Sequence, residues 1–176
     1  MNIVLRKRKK CDINRMKRSK TGMKCIKYIN TKIGEIGLIE EENKIIEIQV
    51  NKERQENISP KETPLLKETE KQLREYLDGK RKKFDIPFNP KGTKFMKEVW
   101  KALLEIPYGE TRTYQQIAEK VGKPKAARAV GMANHRNPIP IMIPCHRVIG
   151  SNGKLVGYAL GMDIKSFLLN WEKKNV

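Results

Sequence analysis

The spacing of apolar residues constrains this fold more than any other feature, because its period changes along the chain. Between residues 24 and 50 it alternates, in the runs KCIKYIN, EIGLIE and KIIEIQV, separated by the turn formers Thr31–Gly34 and Glu41–Lys44. Ile26, Tyr28, Ile36, Leu38, Ile46, Ile48 and Val50 fall largely on that alternation, which predicts a small antiparallel sheet with one buried face. After Pro64 the spacing becomes helical: Leu65, Leu66, Thr69, Leu73, Tyr76 and Leu77 make one stripe, ended by Gly79. Lys80–Pro90, with two prolines, reads as a linker. Beyond it, Phe95, Met96, Val99, Trp100, Leu103 and Leu104 predict a core helix from Thr93 to about Ile106. Ile164, Phe167, Leu168 and Trp171 predict a last helix, Met162 to about Lys173. The expected class is α+β, with domain boundaries at 1–21 (a basic arm), 22–88 (an N-terminal scaffold) and 89–176 (a helical C-terminal domain). The scaffold half carries no recognisable chemistry.

Between the two C-terminal helices, Thr113 is placed to cap a short helix, Tyr114–Val121, with Ile117, Ala118 and Val121 inward. Gly122-Lys123-Pro124 turns the chain into a second short helix, Lys125–His135. Two short helices around a glycine turn form a helix-turn-helix pattern. The second carries Ala126, Ala127, Ala129, Gly131 and Ala133, a small-residue face from which one large cation, Arg128, protrudes. Small residues serve close helix packing equally well, but a smooth face can also enter a narrow groove, with a guanidinium filling a gap in a base stack.

Charge favours the second use. The chain has 38 Lys and Arg against 20 Asp and Glu, a net charge of +18. That excess is the footprint of a polyanion binder. Nine of the basic residues, against one Asp, lie between Arg6 and Lys20, so the arm reads as a disordered tail that either grips phosphates loosely or is inert. Three cysteines without a CxxC indicate a reduced, cytoplasmic chain. With only two histidines, a Cys/His metal site is not expected. No apolar run approaches the roughly 20 residues of a membrane span.

Chemistry concentrates in NPIPIMIPCHRVIG, residues 137–150. A lone cysteine in an apolar run is ordinarily an inert small hydrophobe. Cys145, however, follows Pro144, which blocks regular helix or central strand, and precedes His146 and Arg147. A thiol with a pKa of about 8.5 needs a base or cation to become a nucleophile. Glu172 is a candidate to hold the imidazole's tautomer, although spacing alone does not place it there. A Cys–His hydrolase would need a histidine facing the sulfur from elsewhere, because adjacent side chains diverge in an extended segment. A regulator without chemistry would leave Cys145 and His146 unused.

The stretch Phe95–Glu172 resembles the O6-alkylguanine-DNA alkyltransferase family (methylated-DNA–protein-cysteine methyltransferases). The resemblance rests on Tyr114-Gln115-Gln116, Pro124–Gly131, Asn137–Ile141, Ile143–Val148, Gly157-Tyr158 and Leu168-Leu169 with Glu172. It implies a monomer that repairs double-stranded alkylated DNA once, without a cofactor or metal. The lesion would be O6-methylguanine or, less well, O4-methylthymine. Ala126–Arg136 would enter the minor groove, with Ala126, Ala127, Ala129 and Gly131 against DNA and Arg128 replacing the flipped nucleotide. Tyr114 would press the 3′ phosphate and protonate guanine N3, and Asn137 would tie the helix to the active-site loop. Cys145 would attack the alkyl carbon, with His146 taking its proton through a water and Glu172 orienting the imidazole. Carbonyls of Cys145 and Val148 would read the exocyclic amine, the Ala159 amide would reach O6, and Tyr158 and Pro140 would wall the pocket. Leu160 departs from the family pattern by standing where a glycine is usual, which predicts a tighter pocket that disfavours benzyl groups.

Overall fold

The computed structural model describes residues 22–176; the basic arm, with Cys11, lies outside the described residues. Three antiparallel strands, β1 (Lys24–Thr31), β2 (Gly34–Glu41) and β3 (Lys44–Val50), form the N-terminal sheet. A short β4 (Ser59–Pro60), which the alternation did not announce, pairs parallel with β1 and makes the order β3-β2-β1-β4. Glu42 and Asn43, both at positive φ, make the tight β2–β3 turn.

The sheet buries both faces rather than one. Cys25, Ile29, Ile36, Leu38, Ile45, Ile48 and Val50 join the main core. Ile26, Ile39, Ile46 and Ile58, with Tyr28 against them, form a second cluster. Ile26 pairs with Ile39 while Ile29 pairs with Ile36, so one run serves both faces. The register also shifts between Ile39 and Glu40, so Ile45 joins the face of Ile48 and Val50, where unbroken alternation would have put Ile46.

Helix α1 (Pro64–Leu77) is capped by the Thr63 hydroxyl and packs Leu66, Leu73, Tyr76 and Leu77 into the main core. Each such side chain contributes about 1.5–3 kcal/mol on leaving water. The segment after it is no free linker. Ile86 is buried, Phe88 bridges to Ile45, and Ile45 exchanges backbone hydrogen bonds with Pro87 and Asn89 at 2.9 Å each. The edge of β3 is extended again by Ile48 N–H donating to Pro138 O at 2.8 Å, so the segment leading to Cys145 is anchored on the sheet.

The second half holds α2 (Lys94–Leu104), α3 (Tyr114–Lys120), α4 (Ala127–His135) and α5 (Met162–Lys174). Helix α2 buries Val99, Trp100, Ala102 and Leu103, whereas Leu104, expected in its core stripe, is 44% exposed. Thr113 and Gln116 form a reciprocal capping box that fixes the start of α3. The Trp100 indole donates to Ala133 O at 2.9 Å and seats α4 on α2. Strands β5 (Arg112–Thr113) and β6 (Val148–Ile149) pair in parallel, which brings the start of α3 beside the segment after Cys145.

Candidate active site

Cys145 does not sit in extended chain. Pro144 leads into a 3-10 turn, Cys145–Arg147, whose three side chains are all buried. The preceding loop is held by Asn137, whose Nδ2 donates to Ile143 O at 2.8 Å and to Cys145 Sγ at 3.1 Å, while its Oδ1 accepts from Ile139 N–H at 3.0 Å. Inside the loop Ile141 is buried with φ of +74°, a conformation that costs a β-branched residue about 1–3 kcal/mol. The Asn137 bonds therefore hold a strained loop and touch the sulfur directly.

Glu172, on α5, is fully buried and accepts five hydrogen bonds. Its Oε1 takes the Tyr76 hydroxyl at 2.5 Å, His146 Nε2 at 2.8 Å and Arg147 Nη2 at 2.9 Å. Its Oε2 takes Arg147 Nε at 2.9 Å and the Gly109 amide at 3.1 Å. Gly109 has φ of +79°, and a Cβ there would meet Val176 Cγ2 at 2.4 Å, so this amide needs glycine. Burial acts to raise the Glu172 pKa, but the bonds from His146 and Arg147 prevail and hold it at about 2.

That anion sets the histidine's tautomer. A carboxylate can only accept, so His146 Nε2 carries the proton and Nδ1 keeps a lone pair. Burial lowers the His146 pKa below its ordinary 6.5, against the pull of Glu172, so the ring is neutral. Its Nδ1 is buried without a hydrogen-bond partner. Burial pushes the Cys145 thiol up to about 11, although the Asn137 bond and the Lys165 charge oppose this. Cys145 is thus a protonated thiol close to a neutral base, not a standing thiolate.

The sulfur opens on a cavity of about 200 Å³ lined by Tyr114, Gly131, Asn134, His135, Cys145, Val156, Gly157, Tyr158 and Ala159. Tyr114 donates to Val156 O at 3.1 Å, and its pKa is raised first by burial and then by Cys145. Beside the cavity lies an open groove of about 460 Å³ bordered by Tyr114, Gln115, Ala127, Arg128, Gly131 and Ser151. Arg128 and Ala129 are exposed, and Ala126 and Ala127 half-buried. A Cβ at Gly131 would find Tyr114 Cε1 at 3.7 Å, an ordinary contact, so packing within the protein leaves room for a methyl group here and does not demand glycine.

The expected residues divide accordingly. Cys145, His146, Glu172 and Asn137 come together, and Tyr114, Tyr158 and Ala159 line the cavity. Val148 and Pro140 are buried but do not line it. Leu160 does not reach the rim: its side chain packs half-buried against the core, so the steric argument for a tighter pocket loses its basis. Four residues escaped sequence reasoning. Tyr76 and Arg147 hold Glu172, as above. Lys165 is fully buried and donates to Val148 O at 2.7 Å, Val156 O at 3.0 Å and Gly157 O at 3.4 Å, clamping the cavity's loop to α5. Asn134 is 7% exposed on the cavity wall, and neither Oδ1 nor Nδ2 has a partner. Arg147 left a signal as part of the Cys-His-Arg run, and Tyr76 as a member of the first helix's core stripe, though not as a partner of Glu172; the polarity of Lys165 and Asn134 suggested solvent.

Among the described residues, no group of three His, Cys, Asp or Glu could hold a metal ion, and no helix is long and apolar enough to cross a membrane.

Comparison with known proteins supplies the remaining context. Residues 94–174 match the family model of the 6-O-methylguanine DNA methyltransferase DNA-binding domain, and residues 24–90 that of its ribonuclease-like domain. A constitutive methylated-DNA–protein-cysteine methyltransferase of Bacillus subtilis is 50% identical over 151 residues, covering 81% of this chain and 92% of the relative. One of Methanosarcina barkeri is 63% identical over 110 residues, covering 62% of this chain and 70% of that protein. The crystal structure of Mycobacterium tuberculosis O6-methylguanine methyltransferase superposes with a TM-score of 0.81 at 40% identity, over 88% of this chain and 95% of that one. Its complex with DNA gives a TM-score of 0.80 at 41% identity, over 86% and 94% of the two chains.

Proposed function

The chain belongs to the 6-O-methylguanine DNA methyltransferase family, and from that premise we propose that Cys145 is the residue that takes the alkyl group. The activity is direct-reversal DNA repair, the transfer of a methyl group from DNA to a protein cysteine.

The observation that carries the assignment is a buried thiol opening on the cavity, next in the chain to a histidine whose Nε2 is held by the Glu172 carboxylate. As the S–C bond forms, the bond from the alkyl carbon to O6 breaks. The thiol proton passes by a water to Nδ1 of His146, and the imidazolium is stabilised by Glu172. Guanine, departing as an anion, takes a proton at N3 from Tyr114, whose raised pKa keeps it protonated until then. The tyrosinate then regains a proton from the imidazolium through solvent, so the thiol's proton is in net the one guanine gains. The thioether is not hydrolysed, and each molecule acts once.

DNA is the partner, and alkylated duplex entered from the minor groove is the form this reading assigns. The exposed Arg128 on a small-residue face supports it. Extruding a base costs a few kcal/mol, least for a poorly paired one, which favours lesions. Val148 O, already engaged by Lys165, keeps a second lone pair for the exocyclic amine, alongside Cys145 O. The Ala159 amide serves O6. The arm 1–21 adds phosphate contacts, 22–88 supports the site and 89–176 carries DNA binding and transfer, in a cytoplasmic monomer. The free Cys25 and Cys145 suit a reducing compartment.

Intact mass after incubation with duplex DNA containing O6-methylguanine tests the assignment. A gain of about 14 Da, one methylene by simple chemistry, saturating at one per chain and absent from Cys145→Ala, is expected. Lesion binding without a mass change would make the protein a damage sensor instead.

A further inference from the structure

The N-terminal half does more than support the site. Tyr76, in the last turn of α1, is fully buried, and its hydroxyl lies 2.5 Å from Glu172 Oε1 and 3.4 Å from His146 Nε2. No other N-terminal side chain donates to the Glu172 carboxylate among the described residues. The ring is flanked edge-on by Tyr108 at 6.0 Å and by Phe84 at 5.2 Å, and the backbone carbonyl of Tyr76 accepts from the Trp171 indole at 3.2 Å. A residue needed only for packing could be phenylalanine. This hydroxyl instead meets the one oxygen that also accepts the histidine's proton.

We propose that Tyr76 is a positioning residue for alkyl transfer, acting through Glu172 on His146. Its O–H donates to Oε1 and takes up part of the carboxylate's charge. His146 then keeps its proton on Nε2 without being held charged, and Nδ1 stays free to accept from the thiol. Burial first, and the adjoining carboxylate second, keep the phenol protonated, so it remains a donor at every pH at which the protein works. This deepens the proposed function and rests on it. It also makes docking of the two halves a condition for chemistry.

The test compares Tyr76→Phe with Phe84→Leu, which loosens packing on the same ring without touching Glu172. The readouts are the single-turnover rate at saturating lesion DNA, the DNA concentration for half that rate, and the acid limb of the pH–rate profile. Arg147, Tyr108, Tyr158 and Lys165, the other titratable groups around His146, Tyr76 and Glu172, stay in place, as does the Cys145 thiol. Tyr76→Phe should slow the saturated rate about tenfold and leave the half-saturating DNA concentration unchanged. Its acid limb should move to higher pH, because a carboxylate relieved of one donor holds the imidazolium more tightly. Phe84→Leu should lower stability and change neither rate nor limb. Identical behaviour of the two variants overturns the proposal.

If Tyr76→Phe does not fold, nitrogen-detected NMR of wild-type His146 decides. A slowly exchanging Tyr76 hydroxyl proton in contact with a protonated Nε2 upholds the proposal, and a proton on Nδ1 overturns it. Wild-type protein that leaves the lesion unrepaired refutes the proposed function itself; active wild type with an unaltered Tyr76→Phe refutes only this inference.

Discussion

On the Glu172 side of Cys145 both carboxylate oxygens are fully engaged, with five donors converging on them. On the cavity side the Asn134 carboxamide is buried with no partner for either polar atom, and His146 Nδ1 is equally unpaired. Unpaired buried polar atoms cost about 1–3 kcal/mol each, so they mark where the fold gives up stability. The contrast separates two tasks. One side fixes a charge and a tautomer before any substrate arrives, and the other holds hydrogen-bonding capacity that a bound base can use.

If that division holds, substitutions on the two sides should differ in kind. Glu172→Gln should be the most damaging, because it strands Arg147 as a buried unpaired cation. A loss of about 3–5 kcal/mol in chemical denaturation is expected, together with nearly complete loss of transfer. The same carboxylate predicts acid sensitivity. Its folded pKa of about 2 lies below its ordinary 4.5, so its contribution is present above 4.5 and lost as pH falls toward 2. Stability measured across that window should decline in the wild type and stay flatter in Glu172→Gln. Asn137→Ala comes next, at about 1–3 kcal/mol, since it frees Ile143 O and Ile139 N–H and releases the loop around Ile141. Asn134→Ala should fall at the other extreme. Removing two unsatisfied atoms should leave stability within about 1 kcal/mol of wild type, while the saturated transfer rate drops several-fold. A large stability loss in Asn134→Ala would break the comparison.

The two regions were also unequally legible in the sequence. Cys145 and His146 stand together after Pro144, and a family resemblance connects them to Glu172 at a distance no local periodicity spans. The helices followed from stripes at 3.6-residue spacing, and the capped start of α3 from Thr113. Residues that work by burial against expectation were not legible. Lys165 sits at a helical position whose charge suggests solvent, and Tyr76 reads only as a core residue; tertiary packing alone delivers Val148 O and Glu172 to them. The sheet misled for a related reason. Alternation gives a period but not the number of covered faces, and a one-residue register shift puts Ile45 instead of Ile46 on the face of Ile48 and Val50. Lys80–Pro90 looked like a linker because its prolines interrupt periodicity, yet its backbone completes the edge of β3.

Transfer begins from a protonated Cys145 that a neutral His146 deprotonates, and the pH dependence of the single-turnover rate at saturating lesion DNA tests this most directly. With the thiol at about 11 and His146 titrating below 6.5, the rate should stay flat through neutral and mildly alkaline pH and fall only below 6.5. A rate that climbs about tenfold per pH unit through that range would mean that a thiolate formed in advance does the work, and would contradict it.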